Sequence, residues 1–217
     1  MEPLGESAPA KFVGLSFLLA WRIAFLFHGR YRLGRMKKTV FFDRDGTLII
    51  DRVYLNDPEQ ISYLPGVFEA LTLLRDDGYQ FVIVTNQSGV ARGIVSLENL
   101  TEIHRRISVT FAQHGITFAK FYYAPYSVES NHDMRKPNAG MLNAAHEELG
   151  GVDFARSWMV GDRMSDIEAG HRAGCKTVLL EGVETPADSK FAPPEIFAPD
   201  LLTATIEMRR IDSNRDA

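Results

Sequence analysis

Cysteine is almost missing from this sequence: Cys175 is the only one in 217 residues. A lone thiol excludes an internal disulfide and a multi-cysteine zinc centre, and it fits a reducing compartment. Uninterrupted apolar runs of membrane-spanning length are missing as well. The stretch from Phe12 to Phe27 is broken by Arg22 and falls short of the roughly 20 residues that a spanning helix needs. It makes no signal peptide either, because Glu2 and Glu6 stand where positive charge belongs and no small-x-small site follows before Arg30. Excess basic charge is lacking too; a net charge of -4 gives no reason to expect nucleic-acid binding. No internal repeat or low-complexity tract occurs, and nothing marks a second folded domain.

The first 35 residues read differently from the rest. Arg30, Arg32, Arg35, Lys37 and Lys38 follow the apolar stretch, so any contact with a membrane would leave the following domain on the cytoplasmic side. Met36 opens a segment that enters an apolar strand with no linker. Residues 1–35 are therefore expected to be an extension outside the fold, arising from the choice of start site, with an amphipathic membrane-surface helix as the competing expectation. Residues 36–217 suit one domain with a sizeable core.

That domain is organised around Thr39-Val40-Phe41-Phe42-Asp43-Arg44-Asp45-Gly46-Thr47. A short apolar run delivers two carboxylates, Asp43 and Asp45, and breaks at Gly46. Three more strand-like runs end in polar residues. Phe81 to Val84 leads to Thr85-Asn86-Gln87-Ser88-Gly89, with Arg92 beyond; Lys120 to Ala124 precedes Arg135-Lys136-Pro137; Ser157 to Val160 leads to Gly161-Asp162-Arg163-Met164-Ser165-Asp166. A fifth strand is expected over Lys176 to Leu180. Helical spacing of apolar residues separates these runs, as in Leu97, Leu100, Ile103, Ile107 and Phe111 after the cap Ser96. A further helix is expected to start near Asn138, and His104 is read as a surface or packing residue. Leu48 to Pro65 shows no period and leaves directly from the proposed site, which makes it a candidate flap. Beyond Gly182 the chain is proline-rich, with a closing element around Leu201 to Met208.

Apolar strands alternating with helices predict an α/β fold: a Rossmann-like, doubly wound, mainly parallel sheet with helices on both faces and little or no cap domain. In such a sheet the strand ends converge on one crevice. Each polar group there also has an ordinary reading as a turn or a solvated pair. Together they suit phosphoryl transfer. A carboxylate can attack phosphorus; Mg²⁺ held by one or two carboxylates offsets the charge that repels the attacker; hydroxyl, lysine and backbone donors hold the equatorial oxygens.

The four motifs, Asp43-x-Asp45-Gly46-Thr47, Thr85-Asn86, Lys136 and Gly161-Asp162-x-x-x-Asp166, resemble those of the haloacid dehalogenase superfamily of phosphatases over Thr39 to Leu180. The resemblance implies Asp43 as nucleophile and metal ligand. It implies Asp45 as general acid and base with its backbone carbonyl on the metal, Thr85 and Lys136 on the phosphoryl oxygens, Asp162 completing the Mg²⁺ site and Asp166 in support. Longer matches, including Thr85 to Gly93 and Arg135-Lys136-Pro137, are similar to the branch of histidinol-phosphate and D-glycero-D-manno-heptose 1,7-bisphosphate phosphatases, and closer to the second. That likeness implies a small phosphorylated sugar held by Asn86, Arg92, Arg135 and Arg163, and a cytoplasmic, monomeric enzyme. Many members carry a structural zinc before the Arg-Lys-Pro segment. Here Ala124-Pro125-Tyr126 and His132-Asp133-Met134 occupy those places, so zinc is not expected. The alternatives are a phosphatase of histidinol phosphate or another small phosphomonoester, and an inactive phosphate-binding module.

Overall fold

A computed structural model of the chain describes residues 36–182 and 184–216; the expected extension over 1–35 lies outside the described residues. Six parallel strands form one sheet: β1 (Thr39–Phe42), β2 (Gln80–Asn86), β3 (Phe118–Ala124), β4 (Trp158–Gly161), β5 (Lys176–Leu180) and β6 (Ile196–Ala198). Their order is β3-β2-β1-β4-β5-β6, with Val40 opposite both Phe81 and Trp158. The order reverses beside β1, and a crevice opens there at the carboxyl ends of the strands. This is the expected doubly wound α/β architecture.

Because side chains alternate along a strand, the sheet buries two faces. Val40 and Phe42 pack with α1 (Val67–Asp76), α3 (Leu97–Gln113) and α6 (Leu201–Asp216); Phe41 packs with α4 (Gly140–Glu148) and α5 (Met164–Ala173) on the other side. A one-turn helix, α2 (Ser88–Ala91), follows β2. Ser96 accepts from Asn99 N–H at 3.1 Å and starts α3 where its sequence signal stands.

Beyond shifts at the ends of β2, β4 and α6, these details depart from expectation. Strand β3 begins two residues earlier, at Phe118. Helix α4 begins at Gly140 rather than near Asn138, because Asn138 N–H closes a turn on Arg135 O and Gly140 N–H bonds Asp133 O. Asp162 and Asp166, whose four-residue spacing predicts one helical turn on a shared face, do not share a helix: α5 starts at Met164, so Asp162 sits in the strand-to-helix turn and Asp166 lies in the first helical turn. The irregular tail contains β6, three residues long and too short for any period to show.

At the end of the sheet opposite the crevice, Asp212 fastens α6. Its carboxylate accepts from Tyr79 Oη, from Lys176 Nζ and, at 3.2 Å, from Trp158 Nε1. Removing it strands a buried phenol and indole N–H, and an unmade buried hydrogen bond costs about 1–3 kcal/mol. Asp212→Ala is expected to lower unfolding free energy by roughly 2–3 kcal/mol and to leave turnover intact, measurable by urea denaturation alongside phosphate release.

Candidate active site

Strand β1 is four residues of fully buried apolar and hydroxyl side chains, and it brings Asp43 to the crevice with its N–H still bonded to Val160 O at 2.9 Å. Gly46 then turns the chain at φ +75°. A Cβ there would lie 2.4 Å from Asp162 Oδ2, so glycine serves both the turn and the close approach of the acid from β4.

Lys136 is the hub of the site, with 2% of its surface exposed. Its Nζ donates to Asp43 Oδ1 at 2.8 Å and Val84 O at 2.7 Å, and pairs with Asp166 Oδ1 at 2.6 Å. Three acceptors match the three protons of an ammonium group. Burial pulls its pKa down, but Asp166 and Asp43 overrule that and hold it above the usual lysine value. Asn86 grips the Lys136 backbone from both sides, donating to its carbonyl at 3.0 Å and accepting from its N–H at 3.1 Å. Asp166 Oδ2 accepts from Arg163 N–H at 3.1 Å, which leaves Oδ1 for the lysine.

Asp43, Asp162 and Asp166 each place an oxygen within 4.8 Å of the others, all three buried. Burial, reinforced by repulsion from Asp43 and Asp166, pushes Asp162 up to about 8. Its Oδ1 is buried with no hydrogen-bond partner. Clustered carboxylates with an unsatisfied oxygen are what a hard cation requires, and binding one would reverse the Asp162 shift. The residues present therefore fit a divalent cation.

The Asp45 side chain lies outside that cluster. Arg44 holds it through Nε at 3.1 Å and Nη2 at 2.7 Å on Oδ2, with Nη2 also 3.0 Å from Oδ1. Gln87 Nε2 donates to Asp45 Oδ2 at 2.9 Å and to Thr85 Oγ1 at 3.0 Å. Since Thr85 Oγ1 accepts from Gln87, its own proton is free for the cavity. Burial raises the Asp45 carboxyl above the usual carboxylate range, while the Arg44 charge draws it back.

A cavity of about 480 Å³ opens over these groups and is lined by Asp43, Asp45, Thr85, Asn86, Arg135, Lys136, Arg163 and Asp166. Two of the predicted residues do not line it. Asp162 stands below, among the clustered carboxylates. Arg92 donates to Tyr54 Oη of the flap at 2.9 Å; burial lowers the pKa of Arg135, and the Arg92 charge adds to that. Arg135 donates to Tyr126 O at 2.9 Å, and Arg163 pairs with Asp51 of the flap at 3.2 Å. The flap begins as a narrow hairpin, with Ile50 N–H on Ser62 O and Leu64 N–H on Leu48 O.

Sequence reasoning gives no role to Arg44 at the site and reads Gln87 only as an amide donor to an anion, whereas its Nε2 donates to Asp45 and Thr85. Arg44 carried a signal: a charged residue between two acids, at the end of an otherwise apolar strand, needs a partner. Gln87 carries the signal of an amide in a polar turn at a strand end, which marks it as a donor but not its acceptors. In the loop before Arg135, the Tyr126 and His132 rings stack with centroids 3.5 Å apart and planes 12° from parallel. Met134 N–H bonds His132 Nδ1 at 3.1 Å.

Comparison with known proteins agrees with this geometry. A family model described as "HAD-hyrolase-like" matches residues 133–204. The D-glycero-beta-D-manno-heptose-1,7-bisphosphate 7-phosphatase of Haemophilus ducreyi is 40% identical over 151 residues, covering 66% of this chain and 82% of that protein. The enzyme of the same name from Haemophilus influenzae is 35% identical over 182 residues, 81% of this chain and 97% of its own. Among solved structures, the D,D-heptose 1,7-bisphosphate phosphatase of B. bronchiseptica, complexed with magnesium and phosphate, superposes with a TM-score of 0.73 at 28% identity. That match covers 80% of this chain and 99% of the other. With its crevice of carboxylates and lysine built on the doubly wound sheet, the chain belongs to the haloacid dehalogenase-like phosphatases, in the heptose-bisphosphate phosphatase branch, and is a phosphoric monoester hydrolase.

Proposed function

We propose that this phosphatase is Mg²⁺-dependent and removes the 7-phosphate of D-glycero-beta-D-manno-heptose 1,7-bisphosphate through an aspartyl-phosphate on Asp43. The observation that carries the reading is the placement of Asp43 at the cavity floor, between Lys136 and two further buried carboxylates. Asp43, Asp162 and the Asp45 backbone carbonyl would hold the cation, with Asp166 in support. When bound, it supplies positive charge against the phosphoryl oxygens and the attacking carboxylate.

The remaining chemistry belongs to the chain. The Thr85 hydroxyl donates to the phosphoryl oxygens, and so does Lys136 with the N–H that Asp43 releases as it turns to phosphorus; positioning and charge do most of the work. Asp43 attacks phosphorus as the bond to the sugar oxygen breaks, and that oxygen takes a proton from Asp45. Asp45 then takes a proton from water, whose oxygen attacks the phosphorus and frees Asp43 and inorganic phosphate. Arg135 and Arg163 line the cavity beside Lys136, and Arg92 adds its charge from its place on Tyr54, more cationic charge than one phosphate needs. Burial lowers the Arg135 pKa and the Arg92 charge adds to that effect; a second phosphate would relieve the repulsion between the two cations. Asn86 contributes through Lys136, whose backbone it holds.

Among the described residues no helix is long and apolar enough to cross a membrane. A cytoplasmic location suits a phosphorylated sugar substrate, and a monomer suffices because every residue invoked comes from one chain.

Phosphate release in Mg²⁺ from both heptose 1,7-bisphosphate anomers, histidinol phosphate and several hexose phosphates tests the reading. The beta anomer is expected to lead in kcat/KM by at least roughly tenfold, a preference of about 1.4 kcal/mol, with one phosphate released per sugar. Histidinol phosphate in first place would overturn the substrate. Mg²⁺ at about 100 times its Kd should add roughly 2.7 kcal/mol of stability, visible as a raised unfolding temperature that EDTA abolishes.

A further inference from the structure

Arg44 stands between the two acids of the motif, and no role in the reaction follows from the cation or the phosphoryl group. It is 1% exposed. Three of its contacts fall on Asp45, and its fourth side meets His104: Nη1 lies 3.2 Å from His104 Nε2. A guanidinium only donates, so Nε2 accepts and the ring carries its proton on Nδ1. Burial, with the Arg44 charge second, holds the His104 pKa down to about 3, which keeps that lone pair available. The ring is itself fixed on α3 by packing against Phe121 and Tyr123, at centroid distances of 5.1 and 6.2 Å.

We infer that Arg44 and His104 are positioning residues for Asp45, forming a relay from α3 through the planar guanidinium that orients one carboxylate oxygen, Oδ1, for proton transfer. The inference rests on the reading of Asp45 as acid and base. Asp45 Oδ2 receives Arg44 Nε, Arg44 Nη2 and Gln87 Nε2, whereas Oδ1 receives a single contact from Nη2. Oδ2 is saturated, so Oδ1 keeps the lone pair that gives a proton to the leaving oxygen and later takes one from water. Because a guanidinium is flat and its donors are fixed in direction, holding Nη1 from behind sets the plane in which the carboxylate lies. Histidine is thereby coupled to the chemistry without touching the substrate.

The test compares Arg44→Met, His104→Phe and His104→Gln, in Mg²⁺, on p-nitrophenyl phosphate and on heptose 1,7-bisphosphate. The nitrophenolate leaves without a proton, whereas the sugar oxygen needs one. Asp45 serves twice with the sugar and once with the aryl ester. General acid and base groups contribute about 10²–10⁴-fold, so Arg44→Met should lower kcat on the sugar by at least roughly a hundredfold with KM little changed. On the aryl ester it should show a burst of one nitrophenolate per enzyme followed by slow turnover, as phospho-Asp43 waits for water. His104→Phe keeps the ring packing but loses the acceptor, and should show a smaller shift of the same kind. His104→Gln, whose amide oxygen accepts in place of Nε2, should recover most of the rate. Thermal unfolding followed by circular dichroism supplies the folded fraction for each variant.

Equal losses on both substrates without a burst, or equal losses in His104→Phe and His104→Gln, would overturn the relay. A loss that merely follows the unfolded fraction would overturn it too. Wild-type protein that releases phosphate from neither substrate would instead overturn the phosphatase reading on which the relay stands.

Discussion

Asp43→Asn is expected to abolish turnover, by about 10⁴-fold or more, while leaving the fold as stable as before or more so in the absence of Mg²⁺. The amide cannot form the phospho-enzyme. Its oxygen can still accept from Lys136 Nζ, which keeps its contacts to Asp166 and to Val84 O. What disappears is a buried negative charge, and with it part of the repulsion that pushes Asp162 up to about 8. Stability and activity should therefore separate in opposite directions, and the stabilising response to Mg²⁺ should shrink because the cation site has lost a charged ligand. Single-turnover assays and unfolding curves with and without Mg²⁺ check both halves. A variant that loses stability along with activity would show that Asp43 serves Lys136 more than it repels its neighbours.

Lys136→Met should have the largest combined effect. Methionine fills much of the volume but supplies no charge, leaving Asp43 and Asp166 facing one another and Val84 O without its donor. Removing one partner of a buried charge pair costs about 3–5 kcal/mol, a large share of the 5–15 kcal/mol that holds a typical domain together. Loss of one preorganised donor to the phosphoryl oxygens lowers kcat by roughly 10²–10³. Mg²⁺ should restore part of the lost stability, since a cation can take over the role of neutralising the carboxylates, but it should not restore the rate. Unfolding temperature and phosphate release measured over a Mg²⁺ titration separate the two effects.

The strands and the acids were legible because they are locally encoded. A run such as Thr39 to Phe42, buried on both faces, has no polar alternation to confuse it, and glycine after an acid marks the turn. The helix α3 declared itself through Ser96 and five apolar residues at helical spacing. What stayed hidden depends on contacts between distant segments. Asn86 looked like a phosphate donor, yet its amide is spent on the backbone of Lys136, fifty residues away. Arg92 belongs to a motif that matches the family, but in space it meets Tyr54. His104 was read as a packing residue, and its pairing with Arg44 becomes visible only when α3 lies over the end of β1. The three residues of β6 form a strand because β5 offers them an edge; no propensity over so short a segment could announce it.

The ring stack of Tyr126 on His132 has a practical side. The loop that leads into Arg135 and Lys136 is fastened by aromatic faces, by the His132 ring nitrogen and by the Tyr126 carbonyl. None of these is a thiolate that peroxide could oxidise or from which a chelator could strip an ion. In a cell under oxidative stress or starved of trace metals, such a loop would keep its shape. In the laboratory, the proposed Mg²⁺ dependence is checked by inactivating the enzyme with EDTA and adding back Mg²⁺ without zinc, which is expected to restore activity.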